Sequence, residues 1–346
     1  MENTHKRFNF ITWFREMWTS HPLFSTTCAL LLMIILQTAA LGFDQGSFGE
    51  WFSIWSRNWI NILRNNATIG IIALGMTFVI ITGGIDLAVG STLVAIGAIV
   101  MIFIDSSQTG LLTQIGITGV PAAIVGILMG IIAGFLLGEF TGVLITKGKL
   151  PPFIATLGMM KICRSVTQQC MQTVNPAVPR GFTQIANLSV GGQMFMPIIY
   201  WLLLAFVMNY ISKHTAFGRH VFAVGSNERA SRLSGINVER VKRSVYAIMG
   251  VLVALAAVLQ VSRIGAMDYA NAGNGYEMDA IAAVIVGGTS MAGGKGSIAG
   301  TILGVLIIAV MNNLLNLIGV PPFLREAFKG VIVIAAVLLQ KKEKTA

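Results

Sequence analysis

The chain has 346 residues, 55% hydrophobic and 11% charged, with a mean hydropathy of +0.76 and a formal net charge of +10. A soluble domain carries roughly 25% charged residues, so this chain lacks the polar surface to cover itself in water, and most of that surface must face lipid. Nor does the positive charge point to nucleic acid: it sits in short loops between apolar blocks, not on a solvated face with interleaved aromatics.

The first 22 residues are a polar leader in which Phe8, Ile11, Phe14 and Trp18 recur at helical spacing among Lys6, Arg7 and Arg15. That pattern suits a cytoplasmic helix lying on the inner leaflet. The apolar block that follows is longer than the core of about 7–15 residues in a secretory signal, so an uncleaved first span is expected.

A span needs about 20 mostly apolar residues. Such blocks lie near 23–42, 62–82, 86–104, 121–146, 152–172, 196–212, 244–261, 279–291, 297–318 and 323–340. The expected fold is therefore an all-α polytopic membrane protein of about ten transmembrane helices, one transmembrane domain over 23–340 with a tail at 341–346. The 279–291 block is short for a span and reads as a half-helix or re-entrant segment.

With residue 1 inside, the inner loops hold Lys6, Arg7, Arg15, Lys147, Lys149, Lys213, Arg219, Arg229, Arg232, Arg240, Lys242, Arg243, Lys295, Lys341, Lys342 and Lys344. The outer side holds only Arg57, Arg64, Arg180, Arg263 and Arg325, while Lys161, Arg164 and Lys329 fall within spans. The inside excess places both termini in the cytoplasm. Between the first two spans, Trp51, Trp55 and Trp59 fall at i, i+4 and i+8, as an interfacial aromatic anchor or a sugar-stacking platform would.

Four stretches carry more than hydropathy. In Thr82-Gly83-Gly84-Ile85-Asp86, two glycines and an acid break one span and open the next. Asp86 can cap the new helix or stand in the pathway or gate, because a charge at membrane level is costly and usually functional.

The second stretch, Pro151-Pro152-Phe153-Ile154-Ala155-Thr156, opens a helix on prolines. One turn apart further on, Lys161 and Arg164 share a face that calls for a polar cavity or a partner, with Glu139 as a possible counter-ion. Thr156 and, in the later spans, Asn312 complete the set of pathway or gate candidates.

The third is the polar loop around 213–243. Ser226 or Asn227 can cap a short helix, Glu228 lies in its first turn, and Gly235 suits its stop. Ala230 and Leu233 share a face, with Arg229 and Arg232 alongside. A capped, partly apolar helix in a solvated loop has little to bury itself against and reads as a docking element for another protein.

The fourth runs from Gly275 to Asn313 and is rich in glycine. Its Gly293-Gly294-Lys295-Gly296-Ser297 fails as a phosphate loop, which needs glycine where Thr289 stands and Ser or Thr where Gly296 stands. The chain itself is therefore expected to bind no ATP, and any ATPase belongs to another subunit. Cys28, Cys163 and Cys170 match no metal or redox spacing and read as packing residues. His5, His21, His214 and His220 lie outside the spans and form no catalytic set, so no enzyme activity is expected.

Taken in order, GMTFVIITGGIDLAVGS, PPFIATLGMM, TAFGRHVFAVGSNERASRLSGINVERVK and YEMDAIAAVIVGGTSMAGGKGSIAGTILG resemble the ribose-type permeases of bacterial carbohydrate ATP-binding-cassette importers. The resemblance runs from about residue 58 to residue 338. It implies the membrane-spanning subunit of a sugar importer in the bacterial inner membrane, of pentose or hexose class, working by alternating access. It also implies three partners: a second permease subunit, an ATPase with two nucleotide-binding domains that holds the ATP-Mg, and a periplasmic or lipid-anchored sugar-binding protein. On this resemblance the segment Ser226 to Gly235 is the coupling helix. Three departures stand out: a long external stretch from Asp44 to Ser56, Lys161 where an apolar or small residue is common, and Glu139 where a neutral one is expected. Asp86, Glu139 and Lys161 also leave open an ion-coupled secondary transporter.

Overall fold

The computed structural model describes residues 23–42 and 46–343. The surface helix expected in residues 1–22 lies outside them, as do residues 344–346. In chain order the helices are α1 (Phe24–Leu41), α2 (Phe48–Ile81), α3 (Val89–Ile104), α4 (Gly119–Thr146), α5 (Pro152–Met171), α6 (Arg180–Asn187), α7 (Met196–His214), α8 (Ala216–Ser226), α9 (Glu228–Leu233), α10 (Val238–Ile264), α11 (Tyr276–Val286), α12 (Ile298–Leu317) and α13 (Pro322–Glu343). A single-turn 3₁₀ helix occupies Thr113–Ile115. The described residues are helical apart from loops and one small antiparallel ladder, in which Ser189 pairs with Met194 and Val190 with Gln193.

Among the described residues, six helices are long and apolar enough to cross a membrane: α1, α2, α4, α7, α10 and α12. The other four expected segments are helical but shorter or more polar. α3 has 16 residues, α11 has 11, α5 carries Lys161 and Arg164, and α13 carries Arg325, Glu326 and Lys329. α13 runs on to Glu343, through the first half of the stretch expected as a tail.

α2 corrects the reading of the first connection. From Phe48 onward the expected external stretch is helix, capped by Ser47, whose hydroxyl accepts from the Gly49 N–H. The helix has 34 residues, or about 51 Å at 1.5 Å per residue, against a hydrocarbon core of about 30 Å. Its first turns therefore reach past that core. There Trp51, Trp55 and Trp59 follow one another with ring centroids 6.3 and 6.0 Å apart.

The inner layer is the second half of α2 together with α3, α10 and α11, whose side chains are largely buried. α4 and α7 form an outer wall that exposes Val120, Ile124, Leu128 and Ile132, and Leu202, Leu203 and Phe206. Lipid tails are as apolar as leucine, so close backbone packing must hold such helices together. α4 achieves it with Gly126, Gly130, Gly134, Gly138 and Gly142, one every four residues and all buried. A Cβ at Gly134 would overlap the Gly250 carbonyl of α10, and one at Gly138 the Tyr246 carbonyl. This four-residue glycine period is itself plain in the sequence.

Candidate functional site

The first break lies between α2 and α3. Asp86 is buried, and its Oδ1 accepts the Ala88 backbone N–H at 2.9 Å. It thus closes a turn ahead of α3 instead of capping it, since the cap position is Ala88 itself. The Ile85 carbonyl accepts from the Tyr246 hydroxyl of α10 at 3.3 Å. Thr156 packs against the same break, fully buried, with its hydroxyl donating to Pro152 of its own helix at 2.9 Å. Asp86 and Thr156 are brought together, but as the buried seat of the break. Tyr246, which the sequence reading missed, is its third member.

The end of α2 meets two other segments. The Gly294 N–H donates to the Ile81 carbonyl at 2.9 Å, and the turn around it is closed by the Ser290 N–H donating to Lys295 at 2.9 Å. Gly225, at the end of α8, packs on the same spot, where a Cβ would overlap the Ile81 carbonyl. Three of the four informative stretches therefore converge on one junction.

α8 and α9 follow directly. The loop around 213–243 contains two helices, where one was expected. α8 is capped by Thr215 and held by the stacking of Phe217 on Phe78, centroids 6.2 Å apart. Of the two candidate caps of α9, Asn227 serves: its Oδ1 accepts from the Ala230 N–H at 2.9 Å, while Ser226 closes α8. Gly235, with φ of +82°, follows the end of α9. Glu228 pairs with Lys242 at 2.7 Å and Arg232 at 3.1 Å. The hydrogen bond from Lys242, joined by that from Arg232, holds the Glu228 carboxyl below the usual carboxylate range against the effect of its partial burial. Ser231 faces inward, while Arg229 and Ala230 are exposed and Leu233 is 85% exposed.

The remaining candidates separate. Arg164 donates to the carbonyls of Tyr269 at 3.1 Å and Ala272 at 2.8 Å and to Asn274 Oδ1 at 2.9 Å, pinning the α10–α11 connection onto α5. Glu139 is not a partner of Lys161 or Arg164; it pairs with Arg243 of α10. Asn312 Oδ1 is buried without a hydrogen bond. Its neighbour Asn313 bonds reciprocally with Asn58 at 3.1 Å, tying α12 to α2. Lys329 of α13 lies 2.9 Å from Asp279 of α11, with both side chains largely buried. None of these partners shares a turn in the sequence, so no local pattern announced them.

α5 is the outlier among the exposed helices. Its buried side, Ala155, Thr156, Met159, Cys163 and Thr167, packs inward. The opposite side exposes Gly158, Lys161, Ser165, Gln168 and Gln172, three or four residues apart and hence on one stripe, flanked by the exposed Leu157, Ile162 and Val166. A lysine facing lipid at the centre of a span costs about 2.5–3.5 kcal/mol on insertion scales. Lys161 is the tenth of the 20 residues of α5, so its ammonium calls for a polar surrounding.

Residues 58–337 match the family model described as "Branched-chain amino acid transport system / permease component". The ribose import permease protein of Escherichia coli (strain K12) is 39% identical over 327 residues, covering 92% of this chain and 94% of that one. The ribose import permease protein of Bacillus subtilis (strain 168) is 43% identical over 290 residues, 83% and 85% of the two chains. The fructose import permease protein of Rhizobium meliloti is 33% identical over 332 residues, 93% and 87% of the two. No solved structure matches the chain.

Proposed function

Since the chain belongs to the branched-chain amino acid transport system permease component family, we propose that it is the membrane-spanning subunit of an ATP-binding-cassette importer for a sugar. The relatives named for ribose and fructose import support the substrate class. In this reading ten segments cross or enter the inner membrane, α11 as a half-helix, and both termini are cytoplasmic.

The observation that carries the mechanism is the position of α9. It exposes Leu233 and Arg229, and it joins α8 where Gly225 abuts both the end of α2 and the Gly294 turn. As the coupling helix, comprising Asn227, Glu228, Arg229, Ala230, Arg232 and Leu233 between Ser226 and Gly235, it docks on a separate ATPase that binds ATP-Mg. Closure of the two nucleotide domains pushes α9, the junction passes the movement to the α2–α3 break and to the turn between α11 and α12, and two permease subunits rock between outward- and inward-open states. A periplasmic or lipid-anchored binding protein delivers the sugar to the pathway, whose wall includes the exposed stripe of α5. An ion-coupled transporter needs a free titratable group in that pathway; Glu139 is paired with Arg243 and Asp86 is buried on Ala88, which leaves only Lys161 of the three groups that kept that reading open.

The test is the double change Arg229→Asp and Leu233→Asp in the complete complex. The expected result is loss of ATPase binding or of transport-coupled hydrolysis while the permease still inserts. Unchanged uptake would overturn the assignment of α9, and uptake driven by an ion gradient without the ATPase would favour the secondary transporter.

A further inference from the structure

Lys161 is exposed and makes no hydrogen bond or ion pair with any other described residue. It differs from its neighbour Arg164, whose guanidinium is fully engaged on the α10–α11 connection. Above and below it on the stripe stand Gly158, Ser165, Gln168 and Gln172, which place no other charge beside it.

Among the described residues, no acid inside the helical bundle is left free to serve a second copy's Lys161 as counter-ion. Glu139 belongs to Arg243, and Asp279 and Glu326 belong to Lys329. Asp86 is buried on Ala88, and Glu277 is turned inward, its carboxylate 3.0 Å from where a Cβ of Gly90 would stand. Asp105 and Asp268 close turns in the connections. Glu228 and Glu239 belong to the α9 cluster.

We propose that Lys161 binds an anionic sugar in the passage, taking its carboxylate or phosphate, while Ser165, Gln168 and Gln172 serve the sugar hydroxyls. A cation in a water-poor passage forms charge-assisted hydrogen bonds with such a group, and hydroxyl and amide side chains are the usual partners of sugar hydroxyls. This rests on the reading of the chain as an importer subunit and narrows the substrate class within it.

The complete complex, permease with its ATPase and binding protein, is reconstituted in liposomes and offered labelled D-galacturonate, D-ribose 5-phosphate and D-ribose in separate arms. The expected result is ATP-dependent uptake of at least one of the two acidic sugars. Lys161→Gln should lower that uptake about tenfold or more, the scale of one lost charge-assisted hydrogen bond. Lys161→Arg, which keeps the charge, should retain it within about threefold. The galacturonate and phosphate arms separate carboxylate from phosphate. Uptake of ribose without either acidic sugar overturns the inference and leaves the importer standing. So does equal uptake of the acidic sugar by wild type and Lys161→Gln, or an equal loss of acidic and neutral uptake in that variant. Absence of ATP-dependent uptake in all three arms overturns both.

Discussion

The Gly294 N–H donates to the Ile81 carbonyl at 2.9 Å, so the turn before α12 satisfies one of the carbonyls that α2 leaves open at its end. Gly225 fits against that bond only because it lacks a side chain. The contact ties the α2–α3 break and the turn between α11 and α12 to the segment that leads into α9.

Gly225→Val forces this junction apart. Overpacking of this kind costs about 1–3 kcal/mol, so thermal unfolding in detergent should come at a lower temperature than for the wild type. The larger effect should be on coupling: ATP hydrolysis by the reconstituted complex should lose its stimulation by loaded binding protein. Gly225→Ser should fall between the two. A valine variant with wild-type stability and full stimulation would mean that the junction transmits nothing.

Lys329→Met leaves Asp279 buried without its cation. Removing one partner of a buried pair costs about 3–5 kcal/mol, and both side chains here are largely shielded. Denaturant titration of the purified permease should therefore show a marked loss of stability. The double change Asp279→Asn with Lys329→Met should recover most of it, because no uncompensated charge remains. A double variant no better than the single one would show that the pair acts through packing.

Much of this was legible in the sequence, and what was not has a common cause. Hydropathy located the long helices, and the order Asn227, Glu228, Gly235 announced α9 because capping and helix stops are local chemistry. The start of α2 was missed because Ser53, Ser56, Arg57 and Asn58 dilute its hydropathy while leaving it helical. The pairs Glu139–Arg243 and Asp279–Lys329 and the grip of Arg164 join residues far apart in the chain, and only tertiary packing chooses them. For Asp86 the expected bond to a backbone N–H exists, but it goes to Ala88 and closes a turn ahead of α3 instead of capping the helix, and its burial was not foreseeable.

Arg164→Lys tests the clamp on the α10–α11 connection. A lysine keeps the charge but not the planar fork that reaches two carbonyls and an amide at once. Hydrogen bonds to charged groups contribute about 1.5–3 kcal/mol each, and about 1.4 kcal/mol is a factor of ten in an equilibrium. Hydrogen exchange in residues 268–275 should therefore accelerate about tenfold or more. Exchange in α9 should not change. Equal protection of residues 268–275 in both proteins would show that the connection is held by its own turns.

The cluster around Glu228 predicts a pH dependence confined to α9. Its carboxyl titrates below the ordinary range because Lys242, and with it Arg232, favours the charged form. A depressed folded-state value means that the stabilisation is present above the unfolded value, about 4.3, and is lost as pH falls through the folded one. Both partners of the Arg232 pair are about half exposed, so the effect is small and screened by salt. Hydrogen exchange of residues 228–233, corrected for the intrinsic pH dependence of exchange, should show constant protection from pH 7 to about 5 and a decline below about 4.3. Glu228→Gln should remove the decline and lower the protection at pH 7, since the amide cannot pair with Lys242. A wild-type profile flat to pH 3 would mean that Asn227 and Gly235, not the ion pairs, hold α9 in place.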